Sequence, residues 1–174
     1  MDLRYPIGPF KRPASLSAAE RRTAIDEIAA APAQLRAAVR GLTEAQLETP
    51  YRPDGWTVRQ VVHHVPESHL NAYTRFKLAL TEDTPTIKPY DEEGWSRTGD
   101  VRTTPIETSL VLLESLHDRW VRLLDSVSDA EFERKLTHPE SGVMNLHQLL
   151  AMYQWHGKHH VAHVTTLRER NGWA

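Results

Sequence analysis

Apolar residues recur at intervals of three and four positions in four long stretches of the chain, a spacing that predicts four amphipathic helices. Each stretch opens with a capping residue followed three positions later by Glu or Gln, a pair that satisfies free amide groups of the first turn. The pairs are Ser17 with Glu20, Thr57 with Gln60, Thr104 with Glu107 and Asn145 with Gln148. The helices are predicted over about residues 17–41, 57–80, 104–127 and 145–170, with Gly172 as a left-handed cap after the last.

Two shorter helical turns are predicted after Thr43 and Ser128, and no segment alternates for long enough to predict a strand. Four helices of this length in a chain of 174 residues are typical of an all-α four-helix bundle, and we expect one domain over residues 1–174. Pro32 and Pro66 fall inside the first and second helices, where proline removes a backbone donor. We expect a kink at each.

The segment 81–103 is rich in proline, glycine and charged residues and is too long for a tight turn between neighbouring helices. We therefore expect it to cross over the end of the bundle or to cover a functional site. Trp95 within it is predicted to be an apolar lid residue.

The amino-acid composition limits the functions that the chain can have. The chain has 21 Lys and Arg against 23 Asp and Glu and no basic stripe with aromatic residues, so we expect no nucleic-acid partner. It has no cysteine, which excludes disulfides and thiolate metal sites. No run of 18 apolar residues and no apolar signal core occurs, so we expect a cytoplasmic protein with no membrane partner. The ten histidines are the feature that calls for a functional explanation.

Four of these histidines lie within residues 156–163 of the last predicted helix. Helical spacing places one narrow stripe there, with Tyr153 and His159 at its edge: Leu149, Met152, His156, His160, His163 and Leu167. Histidines bracketed by apolar positions are costly to bury without partners or a metal. His156 and His160 are four residues apart, the spacing that lets two imidazoles on one helix reach one ion.

A third ligand must come from another helix, and helical periodicity leaves its identity open. On the second helix His64 lies at the margin of the buried arc, His63 points away from that arc, and His69 lies on its apolar face. On the third helix His117 is at the centre of an inward stripe. It is interpreted as a core histidine satisfied by hydrogen bonds, with a supporting role, proton donation or a fourth ligand as alternatives. His138 and His147 are interpreted as surface residues.

Several enzyme classes are excluded by missing motifs. Gly157 occupies the position of the glutamate in the H-E-x-x-H metalloprotease motif, and no serine-hydrolase, phosphate-loop or dinucleotide motif is present. No acidic general base is evident beside the histidines, although Glu67 or the carboxylates Asp91, Glu92 and Glu93 would serve if they folded over the site.

Long collinear strings of the sequence resemble YfiT-type proteins of the DinB superfamily. They are YPIG at 5–8, GWTVRQVVHH at 55–64 with its continuation to residue 77, TEDTPTIKPY at 81–90 and WHGKHHVAH at 155–163. The resemblance implies a four-helix bundle whose metal is bound by His64, His156 and His160. His163 stands where many relatives carry glutamine. Members of the family are described as metal-dependent hydrolases, relatives transfer thiols such as bacillithiol to electrophiles, and homodimers occur in this branch.

Three neutral imidazoles leave a coordination position open, which is typical of a catalytic site rather than a structural one. We expect one divalent ion per chain, zinc in function with nickel acquired in purification, that activates a thiol or a water molecule, with no protein base assigned. Thiol transfer to a small electrophile is favoured over hydrolysis because it needs less proton transfer. Hydrolysis and a non-catalytic metal-binding stress protein are the alternatives. His117, His163, Glu67 and Tyr153 are the candidates for supporting or substrate-binding roles.

Overall fold

The computed structural model describes residues 2–173 and contains four long helices, four short helices and one hairpin. The long helices are α1 (Ala18–Val39), α3 (Val58–Thr81), α6 (Ile106–Asp125) and α8 (Leu146–Asn171). The short helices are α2 (Glu44–Leu47), α4 (Glu92–Trp95), α5 (Gly99–Thr103) and α7 (Asp129–Phe132). The two strands are β1 (Lys135–His138) and β2 (Gly142–Asn145).

The capping boxes define most of these helix starts. Complete boxes form at five starts, those with Ser17, Thr43, Thr57, Ser128 and Asn145 at the N-cap. Gly172 closes α8 in the left-handed conformation, with a φ of 63°. The predicted start at Thr104 is wrong: α6 begins at Ile106 with Pro105 as its N-cap, and no side chain caps it. Thr104 is unavailable because it is already the C-cap of α5.

The long helices form a bundle in which sequential neighbours are not always spatial neighbours. α1 packs against α6 and α8, and α3 packs against the same two helices, so α1 and α3 lie on a diagonal. One hydrophobic cluster joins the starts of α1 and α8 to the ends of α3 and α6, and a second cluster joins the opposite ends. α1 and α8 therefore run parallel to each other, as do α3 and α6.

Two adjacent parallel helices need a connection that returns along the bundle, and residues 82–105 make it between α3 and α6. The expectation of a long crossover is thereby confirmed, and α4 and α5 add short helices to it. The β1–β2 hairpin was not predicted. Its strands have only four residues each, too few to show alternation, and its anchor is the buried pair Leu136 and Met144.

Gly157 lets α8 approach its neighbours closely. A Cβ atom there would lie 3.3 Å from Ala31 Cβ on α1 and 3.6 Å from His69 Cε1 on α3. A side chain at this position, such as the glutamate of a zincin, would therefore require Ala31 or α8 to shift. Pro32 and Pro66 lie inside α1 and α3, both of which continue through the proline.

Within residues 2–173, no helix combines the length and the apolar character needed to cross a bilayer.

Candidate metal centre

The two hydrophobic clusters are separated by a layer of histidines contributed by three helices. α3 supplies His64 and His69, α6 supplies His117, and α8 supplies His156, His160 and His163. All of these are buried except His156, which is partly exposed. The stripe that is apolar at both ends and histidine in the middle thus becomes a polar layer across the bundle.

Within this layer the ring nitrogens of His64, His156 and His160 face a common point. One donor atom from each residue lies within 4.8 Å of the other two, and His64 Nε2 and His156 Nε2 are 3.3 Å apart. Two metal–nitrogen bonds of about 2.0–2.1 Å at a tetrahedral angle separate their nitrogens by about 3.3 Å. The donor set and the spacing of its His64–His156 pair therefore fit a divalent metal ion.

These three imidazoles are neutral at physiological pH. Burial lowers the pKa of His64 to about 4. Burial, followed by the proximity of His64, holds the pKa of His156 well below its usual value, and burial with the proximity of His156 does the same for His160. A neutral imidazole has one unprotonated nitrogen, the form that a metal requires.

A chain of hydrogen bonds determines which nitrogen of His156 is unprotonated. It runs from His156 Nδ1 to His69 Nε2 at 3.0 Å, from His69 Nδ1 to His117 Nε2 at 2.7 Å, and from His117 Nδ1 to the Ile28 carbonyl at 2.7 Å. The carbonyl only accepts, so His117 Nδ1 donates, His117 Nε2 accepts, and each neutral ring repeats this order. His156 Nδ1 therefore donates, and its Nε2 is left free for a metal.

A second, shorter chain of hydrogen bonds determines which nitrogen of His160 is protonated. His163 Nε2 donates to the Arg4 carbonyl at 3.1 Å, and its Nδ1 lies 3.4 Å from His160 Nδ1. Burial lowers the pKa of His163 to about 4, so this ring is also neutral, and its free Nδ1 accepts from His160. The Tyr51 ring stacks on His163 with centroids 3.8 Å apart and restrains its orientation. His160 is thus left with its Nε2 unprotonated, as His156 is.

The longer chain makes a testable prediction about a residue that is not a ligand. His117→Leu removes the hydrogen bond that fixes the His69 tautomer, and loss of such outer partners costs about 10–100-fold in metal affinity. We expect zinc affinity to fall by about tenfold in a competition titration with a chromophoric chelator. His63→Leu is the matched control, because His63 is equally buried but contacts Ser109 instead, with His63 Nδ1 2.7 Å from Ser109 Oγ. Equal affinities in the two variants would contradict the role of the chain.

The remaining candidate residues take different positions. His117 and His163 lie behind the three central histidines, as described above. The Tyr153 hydroxyl accepts a hydrogen bond from Arg75 Nη1 at 3.1 Å, and its ring centroid lies 5.7 Å from that of His156. Glu67 does not line the cavities at the centre; burial, followed by the proximity of Asp100, raises the pKa of its carboxyl.

His138 and His147 were interpreted as surface residues, and for His147 this is wrong. His147 is buried at the start of α8, with its Nε2 3.2 Å from Glu133 Oε1. His138 lines the larger cavity described below. The linking role of His69 was missed because its partners come from helices that are distant in the sequence.

Two cavities meet at the cluster of His64, His156 and His160. The larger, about 530 Å³, contacts His156 together with Ser68, Arg75 and Tyr153. The smaller, about 320 Å³, contacts His64, His156 and His160. Both also contact three residues that form their common boundary: Trp56, Glu92 and Glu93.

The boundary between the cavities is built by Trp56, which precedes α3, and by α4 of the crossover. Trp56 Nε1 donates to Glu93 Oε2 at 2.8 Å, and the Trp56 ring lies against His64 with centroids 4.7 Å apart. Desolvation raises the pKa of Glu92, with Arg75 acting in the opposite direction. Trp95 is not the predicted lid: it is 40% exposed and packs on Tyr90. The carboxylates of α4 cover the site instead.

Comparison with known proteins gives closely similar relatives. A protein of Bacillus mycoides named "Putative metal-dependent hydrolase" is 52% identical over 172 residues, which cover 99% of each chain. A Bacillus cereus protein with the same name is 53% identical over 174 residues, again covering 99% of each chain. These names support a metal-dependent enzyme at a general level.

Solved structures agree with this relationship. YfiT from Bacillus subtilis, described as "a probable metal-dependent hydrolase with an unusual four-helix bundle topology", superposes with a TM-score of 0.97 at 47% identity over 100% of both chains. The four-helix bundle protein TT2238 shares the fold alone, with a TM-score of 0.59 at 18% identity over 81% of this chain and 94% of that one. The sequence model of the DinB superfamily matches residues 27–164 of this chain. The chain therefore belongs to the DinB superfamily.

Proposed function

We propose that this protein is a metal-dependent transferase that joins a low-molecular-weight thiol to a small electrophile. The observation that carries the proposal is the meeting of two cavities, of about 530 and 320 Å³, at one three-histidine centre. A transferase must bring two organic substrates to one point, whereas a hydrolase needs space for one substrate and a water molecule.

His64, His156 and His160 would hold the divalent ion, for which we propose zinc. A metal at such an open site supplies a Lewis acid that lowers the pKa of a thiol or water. The chain itself supplies the separation of the two substrates by Trp56 and the shielding of the centre from solvent by the α4 residues.

Glu92 is proposed as the proton acceptor. It borders both cavities, and its raised pKa brings it closer to neutral pH, where a general base is most effective. In the proposed reaction the thiol S–H bond breaks and its proton passes to the Glu92 carboxylate. The sulfur lone pair forms a bond to the electrophilic carbon, and the leaving group departs with the electron pair of its own bond.

Hydrolysis by the same centre is the second candidate. The names of the relatives favour it, and so does Glu92, since a carboxylate beside the centre could equally accept a proton from water. The lack of an evident base, which favoured thiol transfer at the level of sequence, therefore no longer separates the two reactions. The second cavity is the observation that favours transfer, because a second organic substrate would occupy it.

The test is conjugation of bacillithiol to 1-chloro-2,4-dinitrobenzene by the zinc-loaded protein, followed by absorbance of the thioether. We expect zinc-dependent turnover, and Glu92→Gln should lower kcat/KM by about 100-fold, the usual contribution of a general base. Glu82→Gln is the control, because Glu82 is an exposed residue that borders neither cavity.

Two outcomes would contradict the proposal. Zinc-dependent hydrolysis of 4-nitrophenyl acetate without thiol, together with no thioether formation, would assign the centre to hydrolysis. Binding of zinc with turnover of neither substrate pair would favour a non-catalytic metal protein.

A further inference from the structure

A buried arginine lies on the wall of the larger cavity. Arg75 on α3 is 9% exposed and borders this cavity together with Tyr153 and His156. Burying a cation is unfavourable unless it is paired, so a buried guanidinium normally has a carboxylate partner.

Arg75 forms no direct ion pair within residues 2–173, although its charge is near enough to Glu92 to lower the pKa of that carboxyl. No carboxylate oxygen lies within 4.0 Å of its guanidinium, and its one hydrogen bond is to the Tyr153 hydroxyl at 3.1 Å. A guanidinium has five N–H donors in a planar fork. Most of these donors are therefore unused, although the group is largely shielded from solvent.

A second unused donor borders the same cavity. The Tyr90 hydroxyl is buried and makes no hydrogen bond of ordinary geometry among the described residues, although Ser68 lies near enough to interact with it. Tyr90 comes from the crossover and Arg75 from α3, so two separate segments bring unpaired donors to one space. A carboxylate has two oxygens that accept in the geometry of the guanidinium fork and retain capacity for a hydroxyl.

We propose that the larger cavity binds its substrate through a carboxylate group held by Arg75 and Tyr90, with the reacting end of the molecule at the three-histidine centre. The identity of the reacting end rests on the proposed transferase function, whereas the carboxylate subsite stands on Arg75 and Tyr90 alone. Tyr153 connects the carboxylate subsite to the three-histidine centre, because its hydroxyl contacts Arg75 and its ring lies beside His156.

The charges around the cavity limit the ligand further. Exposed carboxylates of Asp91, Glu92, Glu93 and Glu140 border its mouth. They repel highly charged anions such as nucleotides more strongly than a small carboxylate, and they favour a carboxylate with a cationic amine directed outwards. The ligand class is therefore a small carboxylate or amino-carboxylate rather than a phosphate ester.

The test measures zinc-loaded full-length protein by isothermal titration with matched thiols. The probes are mercaptoacetate, 3-mercaptopropionate and 4-mercaptobutyrate, compared with neutral 2-mercaptoethanol. We expect one carboxylate thiol to bind at least about tenfold tighter than 2-mercaptoethanol, since charge-assisted bidentate pairs are among the strongest hydrogen bonds. Arg75→Met should remove this preference, so that the carboxylate thiols bind this variant no more tightly than 2-mercaptoethanol does. Arg122→Met is the control, because Arg122 is an exposed α6 residue.

Glutarate, which has no sulfur, separates the two proposals. If no thiol binds but glutarate protects the wild-type protein against thermal unfolding and does not protect Arg75→Met, the thiol function fails and the subsite stands. If all four thiols bind equally to the wild-type protein, the subsite is overturned and thiol binding stands. Inorganic phosphate binding tighter than glutarate in an Arg75-dependent manner would overturn the carboxylate assignment. The wild-type ranking needs no variant, so the proposal is testable even if Arg75→Met fails to fold.

Discussion

His160→Ala is expected to abolish tight zinc binding and to remove metal-dependent turnover. His160 is one of three converging donors, and its Nε2 is the unprotonated atom because its Nδ1 donates to His163. Loss of an outer-shell partner costs about 10–100-fold in affinity, so loss of a ligand is expected to cost more than about 100-fold.

The measurement is zinc competition with a chelator of known affinity, together with elemental analysis of protein purified without a nickel column. His147→Ala is the matched control, because His147 is a buried residue of the same helix that contacts Glu133 far from the centre. Retention of one zinc per chain at unchanged affinity in His160→Ala would overturn the three-histidine assignment. Loss of zinc in both variants would indicate a folding defect rather than a ligand role.

Acid is expected to unfold the metal-free protein between about pH 6.5 and pH 4. The pKa of each of His64, His117, His159 and His163 is lowered to about 4 in the folded chain, mainly by burial. In the unfolded chain these groups titrate near 6.5, so the unfolded state binds more protons in this window. Stability is therefore complete above about pH 6.5 and is lost as the pH falls towards 4.

Each of these histidines contributes a slope of up to about 1.4 kcal/mol per pH unit, so four together remove the free energy of a typical domain within about two units. The raised pKa values of Glu67 and Glu92 act in the opposite direction, but these are only two groups. Urea titrations at successive pH values measure the slope. In His117→Leu the slope of the free energy of unfolding against pH should be smaller by the equivalent of about one proton. A free energy of unfolding that is constant from pH 7 to pH 4.5 would contradict the prediction.

The helices could be read from the sequence because their determinants are local. A capping box needs only residues i and i+3, and the boxes at Ser17, Thr57 and Asn145 define α1, α3 and α8. The crossover followed from the length and composition of residues 81–103. The start of α6 was misjudged because α5, an unpredicted helix, uses Thr104 as its cap.

The site was predictable only in part. Helical spacing brought His156 and His160 together on one face, whereas the choice of His64 came mainly from family resemblance. The ligand roles of all three histidines stay predictions. The hydrogen-bond chains end on the carbonyls of Ile28 and Arg4. Every residue type has such a carbonyl, so no sequence pattern marks these ends. The cytoplasmic location, the homodimer and the domain extent also stay predictions.

The parallel pairing of α1 with α8 bears on how the chain folds. In a simple up-and-down bundle, helices that follow one another pack together, and low contact order makes such bundles fold fast. Here α1 and α8 pack across more than 100 intervening residues, and α3 reaches α6 only after the crossover. Loop closure must therefore precede much of the stabilisation, and this bundle should fold more slowly than its helical content suggests.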